Sequence, residues 1–313
     1  PPRLDSSAAS DVYKRQLDAL LDLSHHLVFN SPGQWTAARD KVAAHPRYHG
    51  GHLQCGLRVN PRCSTGSTAL YDPCSPGSRL VTPPESLAGA DLKALTGLHF
   101  RTLCDQGSHD LETTLEAVDH HFGSLLRSAT FRWLSLGGGP WITHPDYDRE
   151  RLIQLVRRTK ERYGLEEIWL EPGEAAVLRA GVLVATVCDL FVNGDTRVAV
   201  LDVSATAHMP DVLEMPYRPD LLLDGQTAGK HGPHRYRLGG ATCLAGDVIG
   251  DYAFPRPLQL GDRLEFLDMA QYTLVKTTFF NGVGHPRIIL RHEDGQLETV
   301  REFGYLDFRD RLG

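Results

Sequence analysis

Lysine is scarce in this chain, where it stands at only six positions, namely 14, 41, 93, 160, 230 and 276. Few side chains are therefore available for chemistry that needs an amine nucleophile. Long apolar runs are also absent, and none reaches the roughly 20 residues that span a bilayer, which predicts no membrane partner. The net charge of −6 disfavours a nucleic-acid partner and is compatible with a cationic substrate.

The six cysteines lack the spacings that mark metal or redox sites. No two of them form a CxxC pair, and no Cys/His spacing matches a zinc site, so we expect no metal. No secretory signal is visible in the sequence. We therefore expect reduced thiols in a cytoplasmic protein.

Apolar strands alternate with helical patterns between residues 17 and 180. Strand-like runs begin at residues 27, 53, 98, 133 and 168, and the segments between them include SHDLETTLEAVDHHF and YDRERLIQLVRRTKERYG. This alternation predicts an α/β domain in which β/α units surround a parallel sheet. Five units are visible, whereas a closed (β/α)8 TIM barrel needs eight.

The first sixteen residues do not continue this pattern. PPRLDSSAASDVYKRQ is polar, has no clear period and lacks an initiator Met, so we expect residues 1–16 to be non-native or disordered. Together with the five visible units, this predicts an incomplete barrel from which about three N-terminal units are missing.

The sequence changes character after Gly181. Strand-rich segments such as VLVATVCDLFVNG and TRVAVLDVSA follow one another, with turn signals at Asn193-Gly194 and Asp294-Gly295. We predict a C-terminal all-β domain over residues 181–313, with a flexible loop at residues 218–234.

Two of the predicted strands end in unusual turns. Trp133-Leu134-Ser135-Leu136 runs into Gly137, Gly138 and Gly139, and the next strand ends in Leu-Glu-Pro-Gly-Glu, residues 170–174. Because glycine has no Cβ, three in succession allow backbone N–H groups to approach a phosphate. A tight turn without a ligand is the alternative for the glycines, and a helix cap is the alternative for Glu171.

Longer motifs extend over most of the chain and include GLRVNP, ALYDPCSPGSRL, GLHFRTLCDQ, LSLGGG, WLEPGEA, DVSATAHMPDVLEMPYRP, GGATCLAGDVIGDY and YTLVKTTFFNG. They resemble those of carboxynorspermidine/carboxyspermidine decarboxylases, which are similar to ornithine, diaminopimelate and arginine decarboxylases of the alanine-racemase-like fold. The resemblance implies a (β/α)8 barrel that binds pyridoxal 5′-phosphate (PLP), a C-terminal β domain, and a head-to-tail homodimer with shared active sites.

The resemblance also implies which residues bind the cofactor. Glycines would hold its phosphate, a carboxylate would pair with its protonated ring nitrogen, and a tyrosine would reach the phosphate. By motif position these residues are Gly137, Gly138, Gly139, Gly173, Glu171 and Tyr272. A cationic ring is the better electron sink, which gives the carboxylate its chemical purpose.

Catalytic and substrate-binding roles follow in the same way. Cys243 matches the catalytic residue that one subunit contributes to its partner's site, and Asp247 on the same loop would bind the distal amine. Glu174 stands where ornithine decarboxylases carry an arginine, which suits a longer polyamine. Asp211 is expected to line the same pocket, although such acidic residues can equally be solvated surface, and a lone cysteine can be a small core residue.

The chain departs from the family pattern at two points. Arg101 stands where a histidine usually stacks on the PLP ring, and a guanidinium can also stack on an aromatic face. In addition, none of the six lysines occupies the place of the Schiff-base lysine, which we expect upstream of the sequence present here.

Together, the motifs and the resemblance predict PLP-dependent decarboxylation of carboxynorspermidine or carboxyspermidine to the triamine and CO2. Two alternatives remain at this point. One is a diaminopimelate or ornithine decarboxylase of the same fold. The other is a catalytically inactive paralogue or fragment that acts as a dimerising binding module.

Overall fold

The computed structural model describes residues 6–8, 16–66, 68–215 and 217–313. The chain divides into two compact units, the first ending at Ala176 and the second running from Val177 to Gly313. Of the segment 1–16, which we expected to be non-native or disordered, residues 1–5 and 9–15 lie outside the described residues. Ser6–Ala8 forms a short strand.

The first unit contains one parallel sheet in which the strands follow one another in chain order. Its strands are β1 (Ser6–Ala8), β2 (His26–Phe29), β3 (Gln54–Arg58), β4 (Gly97–His99), β5 (Trp133–Ser135) and β6 (Glu167–Trp169). Its helices are α1 (Leu17–Leu23), α2 (Pro32–Ala44), α3 (Pro46–His49), α4 (Ser108–Leu126), α5 (Arg149–Tyr163) and α6 (Gly173–Ala176). The five predicted strands are β2 to β6, and β1 adds a sixth.

Helix boundaries in this unit follow local sequence signals. The Ser31 hydroxyl caps α2 by accepting a hydrogen bond from the Gln34 N–H at 3.1 Å, and Pro32 occupies the first turn. Asp148 caps α5 by accepting from the Arg151 N–H at 2.9 Å, and Gly164 ends that helix in a left-handed conformation. α2 and α5 thus each connect two successive strands, and because all strands of the sheet run parallel, their carboxyl ends lie at one edge.

The second unit is built on a seven-stranded sheet and a separate two-stranded one. Its strands are β7 (Leu183–Asn193), β8 (Thr196–Leu201), β9 (Leu221–Leu223), β10 (Gln226–Thr227), β11 (His234–Gly239), β12 (Val248–Phe254), β13 (Arg263–Phe266), β14 (Ile288–Arg291) and β15 (Leu297–Arg301). The predicted turns Asn193-Gly194 and Asp294-Gly295 join β7 to β8 and β14 to β15.

Several details of this unit differ from the prediction. Its architecture is mainly β, as predicted, and it also contains the short helices α7 (Ala205–His208), α8 (Pro210–Glu214), α9 (Tyr272–Val275) and α10 (Tyr305–Leu312). The predicted loop 218–234 holds the hairpin β9–β10, which turns at Asp224-Gly225 with positive φ at both residues.

Lys276 lies directly after α9, although its β-branched and aromatic neighbours favour a strand. Packing overrides the local β propensity there, because Thr273 is buried against Met269 and its hydroxyl lies 3.3 Å from the sulfur.

Each unit has its own apolar core. Among the described residues, no helix is both long and apolar enough to cross a membrane.

Candidate active site

Three polar side chains end neighbouring strands of the first sheet in one row. Arg58 on β3 pairs in register with His99 on β4, and His99 pairs with Ser135 on β5. All three are at most 4% exposed. Because parallel strands in register present equivalent residues to the same face, the sheet brings these side chains together at its carboxyl edge.

Glu171 follows β6 and meets this row. Its Oε1 accepts a hydrogen bond from the Ser135 hydroxyl at 2.6 Å, and its Oε2 lies 3.4 Å from His99 Nε2. Burial favours the neutral carboxyl. His99, Ser135 and Arg58 outweigh that effect and lower the pKa of Glu171 to about 2. The site therefore holds an ionised carboxylate whose side chain is 31% exposed.

The three glycines pack tightly against neighbouring backbone, and Gly138 does so against that of Glu171. Gly137 and Gly139 have φ of 67° and 102°, which other residues rarely adopt. A Cβ on Gly138 would lie 2.4 Å from the Glu171 carbonyl oxygen, and one on Gly139 would lie 1.9 Å from that of Leu103. Close packing is by itself sufficient to require glycine at these positions. Phosphate binding by these residues stays a prediction.

Two of the expected phosphate donors have partners within the turn. The Gly137 N–H donates to the Ser135 hydroxyl at 3.2 Å, and the Gly173 N–H donates to the Glu171 carbonyl at 2.9 Å. Gly173 begins α6, so Glu174 lies in the first turn of that helix, where it is half-buried. The contact of Glu174 with substrate remains a prediction.

Three arginines are among the residues that line a cavity of about 410 Å³ beside the row of strand ends. They are Arg58, Arg79 and Arg101, and burial followed by the Arg101 charge lowers the pKa of Arg58 to about 10. The Arg101 Nε lies 3.8 Å from the point that a Cβ on Gly138 would occupy. The guanidinium that replaces the expected histidine therefore lies directly beside the glycines.

Cys243 and Asp247 belong to the second unit. Cys243 is exposed, and its N–H donates to Asn281 Oδ1 at 2.9 Å. Asp247 is only 4% exposed and accepts from the Thr242 hydroxyl at 2.7 Å and from the N–H groups of Thr242 and Thr206. These bonds give Asp247 a role in shaping its loop, and its contact with a distal amine remains a prediction.

Asp211 and Tyr272 lie near Lys276. The Lys276 Nζ lies 2.5 Å from Asp211 and 2.9 Å from Glu214, and 5.9 Å from the centre of the Tyr272 ring. Tyr272 is 43% exposed. Asp211 is thus engaged by a lysine of its own chain, and the predicted roles of Asp211 in substrate binding and of Tyr272 in phosphate binding are untested.

No lysine in the described part of the first unit lies at the carboxyl edge of its sheet. Lys41 and Lys160 are helical, and Lys93 precedes β4. The expectation of a Schiff-base lysine upstream of this sequence stays a prediction. The described residues also contain no group of three or more side chains that could hold a metal ion.

His99, Ser135 and Arg58 were not among the residues that we proposed from the sequence for the site. Each lies inside or at the end of an apolar strand and looks like a core position. The available signal was that all three are polar and that all three end predicted parallel strands, where functional side chains gather.

The arrangement fits the two ends of PLP. An ionised, partly exposed carboxylate suits a protonated ring nitrogen, and three guanidinium groups supply positive charge for a phosphate or a carboxylate. Glu171 would hold the ring, and the glycine turn with the neighbouring arginines would surround its anionic group.

Comparison with known proteins supports this chemistry. Residues 12–270 match the family model described as pyridoxal-dependent decarboxylase, C-terminal sheet domain. The chain is 44% identical over 297 residues to carboxyaminopropylagmatine decarboxylase of Synechocystis, covering 95% of this chain and 74% of the relative. It is 38% identical over 302 residues to carboxynorspermidine/carboxyspermidine decarboxylase of Campylobacter jejuni, covering 94% and 76%.

A solved structure gives the same result. The crystal structure of carboxynorspermidine decarboxylase from Campylobacter jejuni with norspermidine superposes with a TM-score of 0.82 at 35% identity, over 98% of this chain and 80% of that one. This confirms the resemblance and the predicted fold class. The chain belongs to the pyridoxal-dependent decarboxylase family, in which an alanine-racemase-type barrel carries a C-terminal sheet domain.

Proposed function

We propose that this protein decarboxylates carboxynorspermidine or carboxyspermidine, releasing CO2 and the corresponding triamine, norspermidine or spermidine, in polyamine biosynthesis. The observation that carries the proposal is the 38% identity over 302 residues to a relative of that name. The ionised Glu171 at the strand ends supplies the matching chemistry.

Bound PLP supplies the electron sink that decarboxylation requires. The residues of this chain position and polarise it. Glu171 would accept a hydrogen bond from the protonated ring nitrogen and keep that nitrogen cationic, and Ser135 would hold one carboxylate oxygen in place. Backbone N–H groups of the glycine turn would face the phosphate.

The protein would act as a homodimer in the cytoplasm. In that assembly the partner subunit's Cys243 would deliver a proton to the carbon that lost CO2. The apolar side chains exposed on β14–β15, including Leu290 and Leu297, would suit burial against a second copy. Sedimentation equilibrium tests the assembly, and a protein that stays monomeric at micromolar concentration contradicts it.

The substrate's tail distinguishes a second candidate. The 44% identity to a carboxyaminopropylagmatine decarboxylase favours a substrate that ends in a guanidinium rather than an amine. Glu174 could pair with either group, although a guanidinium can bind a carboxylate through two parallel hydrogen bonds.

A panel of ligand-binding measurements separates these candidates. It does not require the Schiff-base lysine, because pyridoxamine 5′-phosphate binds without one. The chain, saturated with pyridoxamine 5′-phosphate, is titrated calorimetrically with norspermidine, spermidine, aminopropylagmatine, lysine and putrescine. We expect the two triamines to bind at least roughly tenfold more tightly than lysine or putrescine. Tightest binding of aminopropylagmatine supports the second candidate, and a preference for lysine or putrescine contradicts both.

Turnover is measured in parallel with the enzyme expressed from its natural gene. Release of CO2 from carboxynorspermidine, carboxyspermidine, diaminopimelate and ornithine is compared at equal concentration. Triamine binding without turnover of any of these substrates contradicts the proposed reaction and favours a non-catalytic binding module.

A further inference from the structure

His99 stands out because the predicted chemistry of the site does not use it. Its side chain is 2% exposed, and it lies at the end of β4 between Arg58 and Ser135 in the row of paired strand ends. A buried imidazole is costly unless its polar nitrogens find partners. Among the described residues, neither ring nitrogen makes a hydrogen bond of good geometry.

The Glu171 carboxylate lies close enough to His99 to accept a hydrogen bond from it. Its Nε2 lies 3.4 Å from Glu171 Oε2, whereas Ser135 occupies the other oxygen, Oε1. An ionised carboxylate can only accept hydrogen bonds, so a favourable contact requires that Nε2 carry the proton.

Two donors on two oxygens determine the orientation of a carboxylate. Ser135 alone leaves Glu171 able to rotate about its last side-chain bond, whose torsion is broad. A second donor at Oε2 fixes the carboxylate plane, and the remaining lone pairs then point away from the buried row. A fixed hydrogen-bond acceptor binds its partner more tightly because no ordering is needed on binding.

We propose that His99 is a positioning residue whose Nε2–H donates to Glu171 and, together with Ser135, holds the carboxylate in the orientation that receives the ring nitrogen of PLP. The proposal rests on the cofactor role of Glu171. In this assignment the effect of His99 on the ring passes through Glu171.

A matched pair of variants tests this assignment. In His99→Gln the amide nitrogen takes the place of Nε2 and can still donate to Glu171. In His99→Asn the amide ends where Nδ1 was, one methylene short of the carboxylate, so a polar side chain of similar character stays buried while the donor is lost.

Two probes make the readout specific to the ring nitrogen. One is pyridoxamine 5′-phosphate, which needs no lysine to bind. The other is its analogue with C–H in place of the ring nitrogen, which keeps the phosphate and the shape but cannot pair with Glu171. Dissociation constants of both are measured by calorimetry on the whole chain and on each variant.

We expect His99→Asn to bind pyridoxamine 5′-phosphate roughly tenfold more weakly, which is the size of one hydrogen bond to a charged group. His99→Gln should stay within about threefold of the unaltered chain. Affinity for the analogue should be the same in all three proteins, because it does not use the carboxylate.

Two results would overturn the proposal. Equal losses of affinity for both probes in His99→Asn would show a purely structural role, and an unchanged affinity for pyridoxamine 5′-phosphate would show no role at all. If circular dichroism shows that His99→Asn does not fold, it is replaced by Ser135→Ala in the His99→Gln background. This double variant tests whether the donor at position 99 holds the carboxylate without Ser135. We expect it to keep the preference for the probe that has a ring nitrogen. Equal affinity of the unaltered chain for both probes would contradict the cofactor role of Glu171 itself, on which the proposal rests.

Discussion

Gly138 and Glu171 meet through their backbones rather than through side chains. A Cβ at residue 138 would lie 2.4 Å from the Glu171 carbonyl oxygen, a distance that real Cβ atoms do not show. The Glu171 N–H also donates to the Gly137 carbonyl at 2.9 Å. The glycine turn after β5 and the residue that follows β6 are therefore joined directly through their backbones.

Gly138→Ala should destabilise this backbone contact. The added methyl group meets backbone, which cannot rotate away, so we expect the free energy of unfolding to fall by about 1–3 kcal/mol in urea titrations. Gly33→Ala is the matched control, since the nearest atom to its Cβ is 3.9 Å away and it lies in α2. The control should be unchanged or up to about 1 kcal/mol more stable. An unchanged stability of Gly138→Ala would contradict the close approach.

The sequence located Glu171 and the glycines because their residue types are unusual at strand ends. It did not reveal His99 or Ser135 as site residues, since a polar residue within an apolar strand can equally be a satisfied core residue. Only the register of β3, β4 and β5 shows that these side chains converge on one carboxylate.

Local composition was least informative around Lys276. Tyr272, Thr273 and Val275 favour a strand, but the segment is helical in the folded unit. The ion pairs of Lys276 with Asp211 and Glu214 join residues more than sixty positions apart, and no local pattern contains that information.

Glu171 should make the free energy of unfolding depend on pH in the acid range. Its folded pKa is about 2 against an ordinary value of 4.5, so the unfolded chain binds the proton first as pH falls. Its contribution is present above pH 4.5 and is lost between pH 4.5 and about 2, with a magnitude of at most the order of 3 kcal/mol. The difference in unfolding free energy between the unaltered chain and Glu171→Gln should therefore shrink as pH falls through this window. A difference that is constant from pH 7 to pH 3 would show that Glu171 titrates normally.

His26 should cause a second decrease in the free energy of unfolding, at a higher pH than the decrease caused by Glu171. The ring is buried between Trp133 and Trp169, with centroid distances of 5.0 and 3.6 Å. Burial, assisted by His25, lowers the pKa of His26 from 6.5 to about 4. The folded state favours the neutral imidazole, so the contribution of His26 to the free energy of unfolding is fully present above pH 6.5. It is lost as pH falls from 6.5 to about 4, and its magnitude is at most on the order of 3 kcal/mol.

His26→Leu isolates this effect because leucine does not titrate. Its unfolding free energy relative to the unaltered chain should rise as pH falls from 7 to 4.5 in urea titrations. His109→Leu is the control, since His109 is exposed on α4, and this variant should keep the unaltered chain's pH dependence. Parallel curves for the unaltered chain and His26→Leu would rule out a titrating His26.

Lys276 should not react with PLP, although it lies in one of the family motifs. Burial opposes its charge, but hydrogen bonds from Lys276 to Asp211 and Glu214 dominate and raise its pKa above the ordinary value of a lysine. The protonated amine has no lone pair for attack on an aldehyde. After incubation with PLP at pH 7.5 and reduction with borohydride, we expect Lys276 to be labelled at least roughly tenfold less than exposed Lys160, as measured by peptide mass spectrometry. Replacing both carboxylates, in Asp211→Asn with Glu214→Gln, should raise labelling of Lys276 to the level of Lys160. Strong labelling of Lys276 in the unaltered chain would instead make it the candidate for the lysine that bonds to the cofactor.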